Sequence, residues 1–393
     1  MVDFADFVAP FDADAFRADY YGKRPLHISG TGRERTGILD WPRFNAALAL
    51  ASFWTEDTLK LYFKNRAALR DTYCDLADLR PGQSAPVNPE RVKVLLGLGA
   101  SLITNQLHRV CPEVNAVAHM LEREFAARVM ANAYCSFNGV QAFQTHFDLH
   151  DVFAVQVEGE KLWRVYEARA DTPVAPVPPG EAGEKWLLAT RGRLLFEVRM
   201  KPGDILYLPR GQYHDALTAA QASLHVTFGV TPPTGLALFK LLENVMAGES
   251  AFRAALPDAR RPGELRERLA VLADRLKAVL TSPAFALDVL NHQRGLAGTA
   301  PDYDLPAQMP SSWYATARPA KVLRRDAGFV LICDGREIAL GAAYPAVEWL
   351  VQQRFFSLED ALARHPGVDR SELRAVLELL VGAKIVAPTQ MQQ

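Results

Sequence analysis

Between residues 137 and 232 the chain sets short apolar runs between Gly and Pro punctuation: VFAVQVEG, KLWRVYEA, RLLFEVRM, DILYLPRG and SLHVTFGV. Runs this short and evenly spaced, rich in β-branched and aromatic residues, predict many strands in a sandwich or small barrel. Ahead of them Val114, Val117, Ala118, Leu121 and Phe125 recur at three- and four-residue steps. That is the period of a helix with one apolar face, and it leads into a strand expected near 129–136. Residues 1 to about 95 mix helical signals (DADAFRADYYGKRPLHI, WPRFNAALAL) with charged loops and the turn-rich RPGQSAPVNPE.

After the strand-rich stretch the period changes. The breaker cluster TPPTG at 231–235 marks a candidate domain boundary, and helical patterns follow it. In ELRERLAVLADRLKAVL, Leu265, Leu269, Leu272, Leu276 and Val279 step by 4, 3, 4 and 3. Two heptads are too few for a long coiled coil; they suit a helix-pair interface or an ordinary core-facing stripe. A Pro-punctuated linker, APDYDLPAQMPSSW, precedes a last segment that reads strand (GFVLICD), strand (EIAL), three helices and a closing strand (KIVAP). That order is winged-helix-like. Its third helix offers Glu372, Glu378 and one Arg374, too little positive charge for phosphate contacts, so a protein contact or a scaffold is expected there.

Bulk numbers narrow the classes. A chain of 393 residues exceeds one ordinary core, so two or three domains are expected. Lys plus Arg (44) nearly balances Asp plus Glu (45), which argues against a strongly basic nucleic-acid-binding surface. The opening MVDFADFVAPFDADAF carries early acids and no signal-peptide pattern, and no apolar run is long enough to span a bilayer. Cys74, Cys111, Cys135 and Cys333 are scattered without CxxC spacing, as expected of reduced thiols in a cytoplasmic protein.

One stretch breaks its own apolar pattern. QTHFDLHDVFAVQVEGEKLWRVY (144–166) reads as two strands joined by a turn at Glu158-Gly159, yet its first strand opens on His146, Asp148 and His150. Alternation would project His146 and Asp148 to one face, about 7 Å apart along the strand. A third ligand is available in KPGDILYLPRGQYHDAL, where His214 follows a Pro/Gly turn; His225 in SLHVTF is its competitor. Two histidines and a carboxylate on one face of an octahedron are the facial triad of non-haem Fe(II) oxygenases, with three positions left open. A chelating 2-oxo acid and O2 together need three. The distal carboxylate of 2-oxoglutarate then needs a cation, and Lys161, flanked by Leu162 and Trp163, supplies one if it points inward. A buried ammonium without an anionic partner costs several kcal/mol. His150 is read as lying past the site or facing substrate; His27, His108, His119, His292 and His365 are isolated and carry no assigned role.

At this point the residues resemble a family. NAYCSFNGVQAFQTHFDLHDVFAVQVEGEKLWRVY, GDILYLPRGQYH and SLHVTFGV look like the ribosomal oxygenases, the Jumonji C-type, 2-oxoglutarate-dependent protein hydroxylases. YGKRPLHI and GASLITNQLHR also resemble that family, and so does the order of parts. The resemblance implies Fe(II) on His146, Asp148 and His214, and the distal carboxylate on Lys161 with a hydrogen bond from Tyr134. It places Asn132 and Thr227 near the metal-bound end. It implies an α+β fold: a double-stranded β-helix (jelly-roll) at 96–232 behind an N-terminal α/β segment at 1–95, then a helical dimerisation region at 233–310 and a winged-helix-like domain at 311–393. It further implies a homodimer and a polypeptide substrate, hydroxylated on a His or Arg of a ribosomal protein, with no direct nucleic-acid or membrane contact. Competing readings are the same chemistry on a modified peptide or small molecule, a non-oxidative metallo-cupin, and an inactive barrel that only binds. The last two leave Lys161 unexplained.

Overall fold

The computed structural model describes residues 3–30, 35–63, 66–77, 79–137, 143–296, 313–325 and 328–389. The expected linker at 300–313 lies outside them except for Trp313. Contacts divide the chain at Pro232/Pro233 into two compact units.

The first unit is built on one ten-stranded antiparallel sheet. Its strands are β1 (Leu26–Ile28), β2 (Leu59–Phe63), β3 (Arg66–Ala67), β4 (Ser101–Thr104), β5 (Arg128–Phe137), β6 (Phe143–His146), β7 (Asp151–Arg169), β8 (Leu194–Met200), β9 (Ile205–Leu208) and β10 (Gln212–Thr231). They run in the order β1-β9-β7-β10-β5-β4-β2-β3, with β6 added on β10 and β8 on β7. Four of these strands, β1 to β4, escaped the sequence reading, and through β1, β2 and β3 the N-terminal segment joins the same sheet. The expected helix forms as Pro112–Phe125, with Val114, Val117, Ala118 and Leu121 buried on its apolar face.

Two of the expected strands are in fact one, and the expected strand SLHVTFGV is the second half of a longer one. VFAVQVEG and KLWRVYEA make up β7, while the two flanks of residues 219–222 make up β10. The turn expected at Glu158-Gly159 is therefore a bend within β7, whose partner is the antiparallel β10. Ser223 pairs with Gly159 and Thr218 with Lys161, so β10 bulges by residues 219–222 where β7 spends only Glu160. Gly159 has a φ of +64°, and a Cβ there would lie 2.0 Å from the Ala222 carbonyl oxygen, so only glycine fits the crossing.

The bend changes which face each residue serves. Before it, Phe153, Val155 and Val157 enter the main core, while Val152 and Ala154 face a second cluster. After it the odd-numbered Trp163 and Val165 join that second cluster. β10 makes the complementary change: Leu224, Val226, Phe228 and Val230 enter the main core, leaving His225 and Thr227 on the face that His214 and Ala216 occupy beyond the bulge. Lys161 faces inward because of this switch. It does not stand on a returning hairpin strand.

The second unit has its own core, centred on Leu331, Leu340, Val347, Leu350, Phe356, Leu373 and Leu380. The heptad-like leucines fall on the helix Pro262–Leu280, which forms as expected but buries none of its residues fully. Strands Gly328–Cys333 and Arg336–Ala339, helices Tyr344–Leu350, Leu358–Arg364 and Arg370–Gly382, and a final strand Val386–Thr389 follow in the expected order. Ser357 starts the middle helix with a reciprocal cap from Asp360. The Tyr344 hydroxyl donates to Asp288 Oδ1 at 2.9 Å, tying these elements to the preceding helix. Among the described residues no helix is long and apolar enough to cross a membrane.

Candidate active site

His146 is the last residue of β6 and pairs directly across from His214 on β10. Asp148 lies two residues further on, in the connection before β7, where its carbonyl accepts the Gly211 amide at 2.9 Å. The alternation expected to align His146 with Asp148 is thus not the cause of their meeting. Cross-strand pairing brings the imidazoles together, and a pinned loop adds the carboxylate. The rings of His146 and His214 are 4.4 Å apart, and His214 Nε2 lies 3.6 Å from Asp148 Oδ2. One ligand atom from each of the three lies within 4.8 Å of the others.

Both histidines spend Nδ1 on a backbone carbonyl two residues back: His146 on Gln144 at 2.8 Å and His214 on Gln212 at 2.9 Å. Carbonyls accept only, so on each ring Nδ1 carries the proton and Nε2 is the unprotonated nitrogen, the arrangement outer partners impose on metal-binding histidines. Burial and neighbouring His146 pull His214 down to about 4, keeping it neutral and able to ligate. Burial alone would raise the Asp148 pKa, but His146, His214 and His150 outweigh it and hold the carboxyl ionised.

A cavity of about 230 Å³ runs from this cluster to a second polar group. It is lined by every residue expected at the site: Asn132, Tyr134, His146, Asp148, Lys161, His214 and Thr227. It is smaller than the roughly 300–1,000 Å³ of drug-sized ligand pockets, and suits a small acid better than a nucleotide. On β5 and β10 the polar residues face each other in register, Asn132 opposite Thr227 and Tyr134 opposite His225. Asn132 Oδ1 accepts the Gln106 amide at 3.1 Å, and its side chain also hydrogen-bonds Tyr134. Lys161 is 3% exposed, and burial pulls its pKa down to about 8. Its Nζ lies 3.5 Å from His225 Nδ1; among the described residues it has no carboxylate partner. Trp163 stacks on His214, and its buried indole N–H has no acceptor among the described residues.

Sequence reading missed the support behind the ligands. Asp215, next to His214, accepts from Thr145 at 2.9 Å, Tyr166 at 2.7 Å and Arg164 at 2.8 Å. Arg191 donates to Thr145 at 2.8 Å and to Tyr166 at 3.0 Å. Thr145 precedes His146, so one buried network braces both histidine-bearing strands. The available signal was two polar residues beside ligands in otherwise apolar runs. His150 also lines the cavity; it sits against Gly229, where a Cβ would come within 2.5 Å of the imidazole. His27, His108 and His119 are engaged elsewhere, with Asp204, the Ala131 amide and Glu122.

Fold and site together define a cupin-like metal-binding barrel, and residues 105–238 match the family model described as the JmjC domain. The JmjC likeness is thus confined to that segment, and the chain is similar to ribosomal oxygenases over part of its length. It is 28% identical over 232 residues to the bifunctional lysine-specific demethylase and histidyl-hydroxylase NO66 of Dictyostelium discoideum, covering 57% of this chain and 41% of that protein. It is 31% identical over 206 residues to ribosomal oxygenase 2 of Bos taurus, covering 47% and 42%. The alignments thus span about two-fifths of those relatives' length. The fold also matches YcfD, a ribosomal oxygenase from Escherichia coli solved with cobalt and 2-oxoglutarate, at 16% identity and a TM-score of 0.50, covering 97% of this chain and 99% of that one.

Proposed function

We propose that this protein is an Fe(II)- and 2-oxoglutarate-dependent oxygenase that hydroxylates a His or Arg side chain of a ribosomal protein. One observation carries the chemistry: three ligand side chains and a buried lysine with no carboxylate partner among the described residues line the same cavity. The residues fit the metal, since one ligand atom from each of two histidines and an ionised carboxylate converge while both Nδ1 atoms donate to carbonyls. Ferrous iron held there would supply the centre at which O2 and the 2-oxo acid react. Lys161 and Tyr134 would hold the distal carboxylate, and Asn132 and Thr227 would border the metal-bound end. One atom of O2 enters a C–H bond of the target as hydroxyl; the other accompanies conversion of 2-oxoglutarate to succinate and CO2.

The target rests on the relatives' names and on the cavity, which leaves room for a protruding side chain rather than a bulky metabolite. A modified peptide is the runner-up. A non-oxidative metallo-cupin has no use for Lys161. We further propose a homodimer joined through residues 233–310, whose long helix leaves Leu269 and Val271 about half exposed, and a winged-helix-like fold for 311–393. Four free, buried cysteines suit a reducing, cytoplasmic setting. The decisive experiment compares ribosomal proteins by mass spectrometry from cells with and without the gene. Gain of one oxygen on a His or Arg only when the gene is present supports the reading. A biosynthetic peptide changing instead would transfer the chemistry to the runner-up.

A further inference from the structure

His225 entered the sequence reading only as a rival metal ligand. Its surroundings describe a different task. The ring is held from two sides: stacked on Tyr134, with centroids 4.8 Å apart and planes 7° from parallel, and edge-on to Trp163 at 5.4 Å. A ring so confined has its lone-pair direction fixed, and that direction meets Lys161, with Nδ1 3.5 Å from Nζ. A protonated amine only donates, so Nδ1 accepts and the imidazole proton sits on Nε2. Burial, reinforced by Lys161, holds His225 well below the usual histidine range, consistent with a neutral acceptor.

We infer that His225 is a positioning residue for the acidic cosubstrate: it holds one N–H of Lys161 and so presents the others to an entering carboxylate. The inference rests on the proposal that 2-oxoglutarate binds here. An unrestrained lysine loses considerable rotamer freedom on pairing. One held in advance by a fixed ring loses less, and the benefit appears as tighter dicarboxylate binding. Nothing in this role touches the metal. Its signature is therefore a change in 2-oxoglutarate affinity with metal affinity unchanged.

The test uses the full chain loaded with Mn(II) under anaerobic conditions and titrated with 2-oxoglutarate by calorimetry. His225→Phe keeps an aromatic ring against Tyr134 but cannot accept; it should weaken binding about tenfold, the scale of a hydrogen bond to a charged group. Mn(II) affinity and the melting temperature of the unloaded protein should stay at the wild-type values. His225→Asn, whose Oδ1 can replace Nδ1, should regain most of the loss. Wild-type affinity in His225→Phe, or no recovery in His225→Asn, overturns the inference. Should His225→Phe not fold, His225→Leu against His225→Asn makes the same comparison. Lys161→Ala separates the two levels. If it binds 2-oxoglutarate as tightly as wild type, the proposed cosubstrate site is wrong; if it binds weakly while His225→Phe does not, only the role of His225 fails.

Discussion

The two ends of the cavity are unlike in charge and in what they lack. At one end an ionised Asp148 stands among three imidazoles, partly open to solvent, with two Nε2 lone pairs facing inward. At the other, Lys161 lies buried beside an aromatic-clamped histidine, with no carboxylate partner among the described residues. The first arrangement is a set of donors short of a cation, the second a cation short of an anion. A scaffold alone would have paired Asp148 with Lys161 and lost neither. Keeping them apart in one cavity is what a metal and an acid require.

The most damaging way to break the contrast is at the metal end. His146→Ala should lose more than the about 10–100-fold in metal affinity typical of outer partners, and turnover should vanish rather than KM rise. Full turnover by this variant would remove His146 from the site. At the opposite end, Lys161→Ala should cost about 2–5 kcal/mol, seen as a raised KM for 2-oxoglutarate in the uncoupled reaction with metal affinity intact. An unchanged KM would mean that the dicarboxylate does not reach Lys161.

Next in size is the bend that joins the two ends. Gly159→Ala combines a positive φ with a clash at the Ala222 carbonyl, and should destabilise the fold by about 1–3 kcal/mol. A chemical-denaturation midpoint equal to wild type would show that the crossing relaxes easily. pH sharpens the comparison further. Burial lowers the Lys161 pKa to about 8 in the empty site, and the carboxylate binds the protonated form. Affinity should therefore be level below pH 8 and fall about tenfold per unit as pH rises above it. Calorimetry of the Mn(II) protein at pH 7 and 9 would register this, and a flat profile would contradict it. The smallest effect is expected from Thr145→Val, which removes one donor to Asp215. It should weaken metal binding about tenfold and leave 2-oxoglutarate binding to the loaded protein unchanged.

The triad and Lys161 were legible because their residue types are costly on an apolar face, so their presence demanded a reason. The helix at 112–125 and most strand positions were legible from period alone. What failed was pairing. Alternation locates a strand but says nothing of its partner, so one bent strand and a hairpin read alike at Glu158-Gly159, and His146 was aligned with Asp148 rather than opposite His214. The strands at 26–28, 59–63 and 101–104 went unread because they are short pieces whose stability comes from distant neighbours. His225 was read only as the rival of His214 for the same reason: its place beside Lys161 follows from a bulge at 219–222 that no local pattern reveals.

That bulge has a kinetic side. The cavity borrows residues from strands paired across long loops: β10 meets β5 with roughly ninety residues between partners, and it meets β7 with as many as about seventy-nine. Such closures are slow, because loop entropy is lost before the contacts repay it. No local fragment of the chain holds both histidines in register, and a one-residue error at the bulge would turn His225 and Thr227 into the core. The ligands and the lysine therefore come together only when the β7–β10 ladder is complete on both sides of the bulge. Metal capture during refolding should lag behind burial of the aromatic core, and the interval between the two signals measures how long the chain takes to find its register.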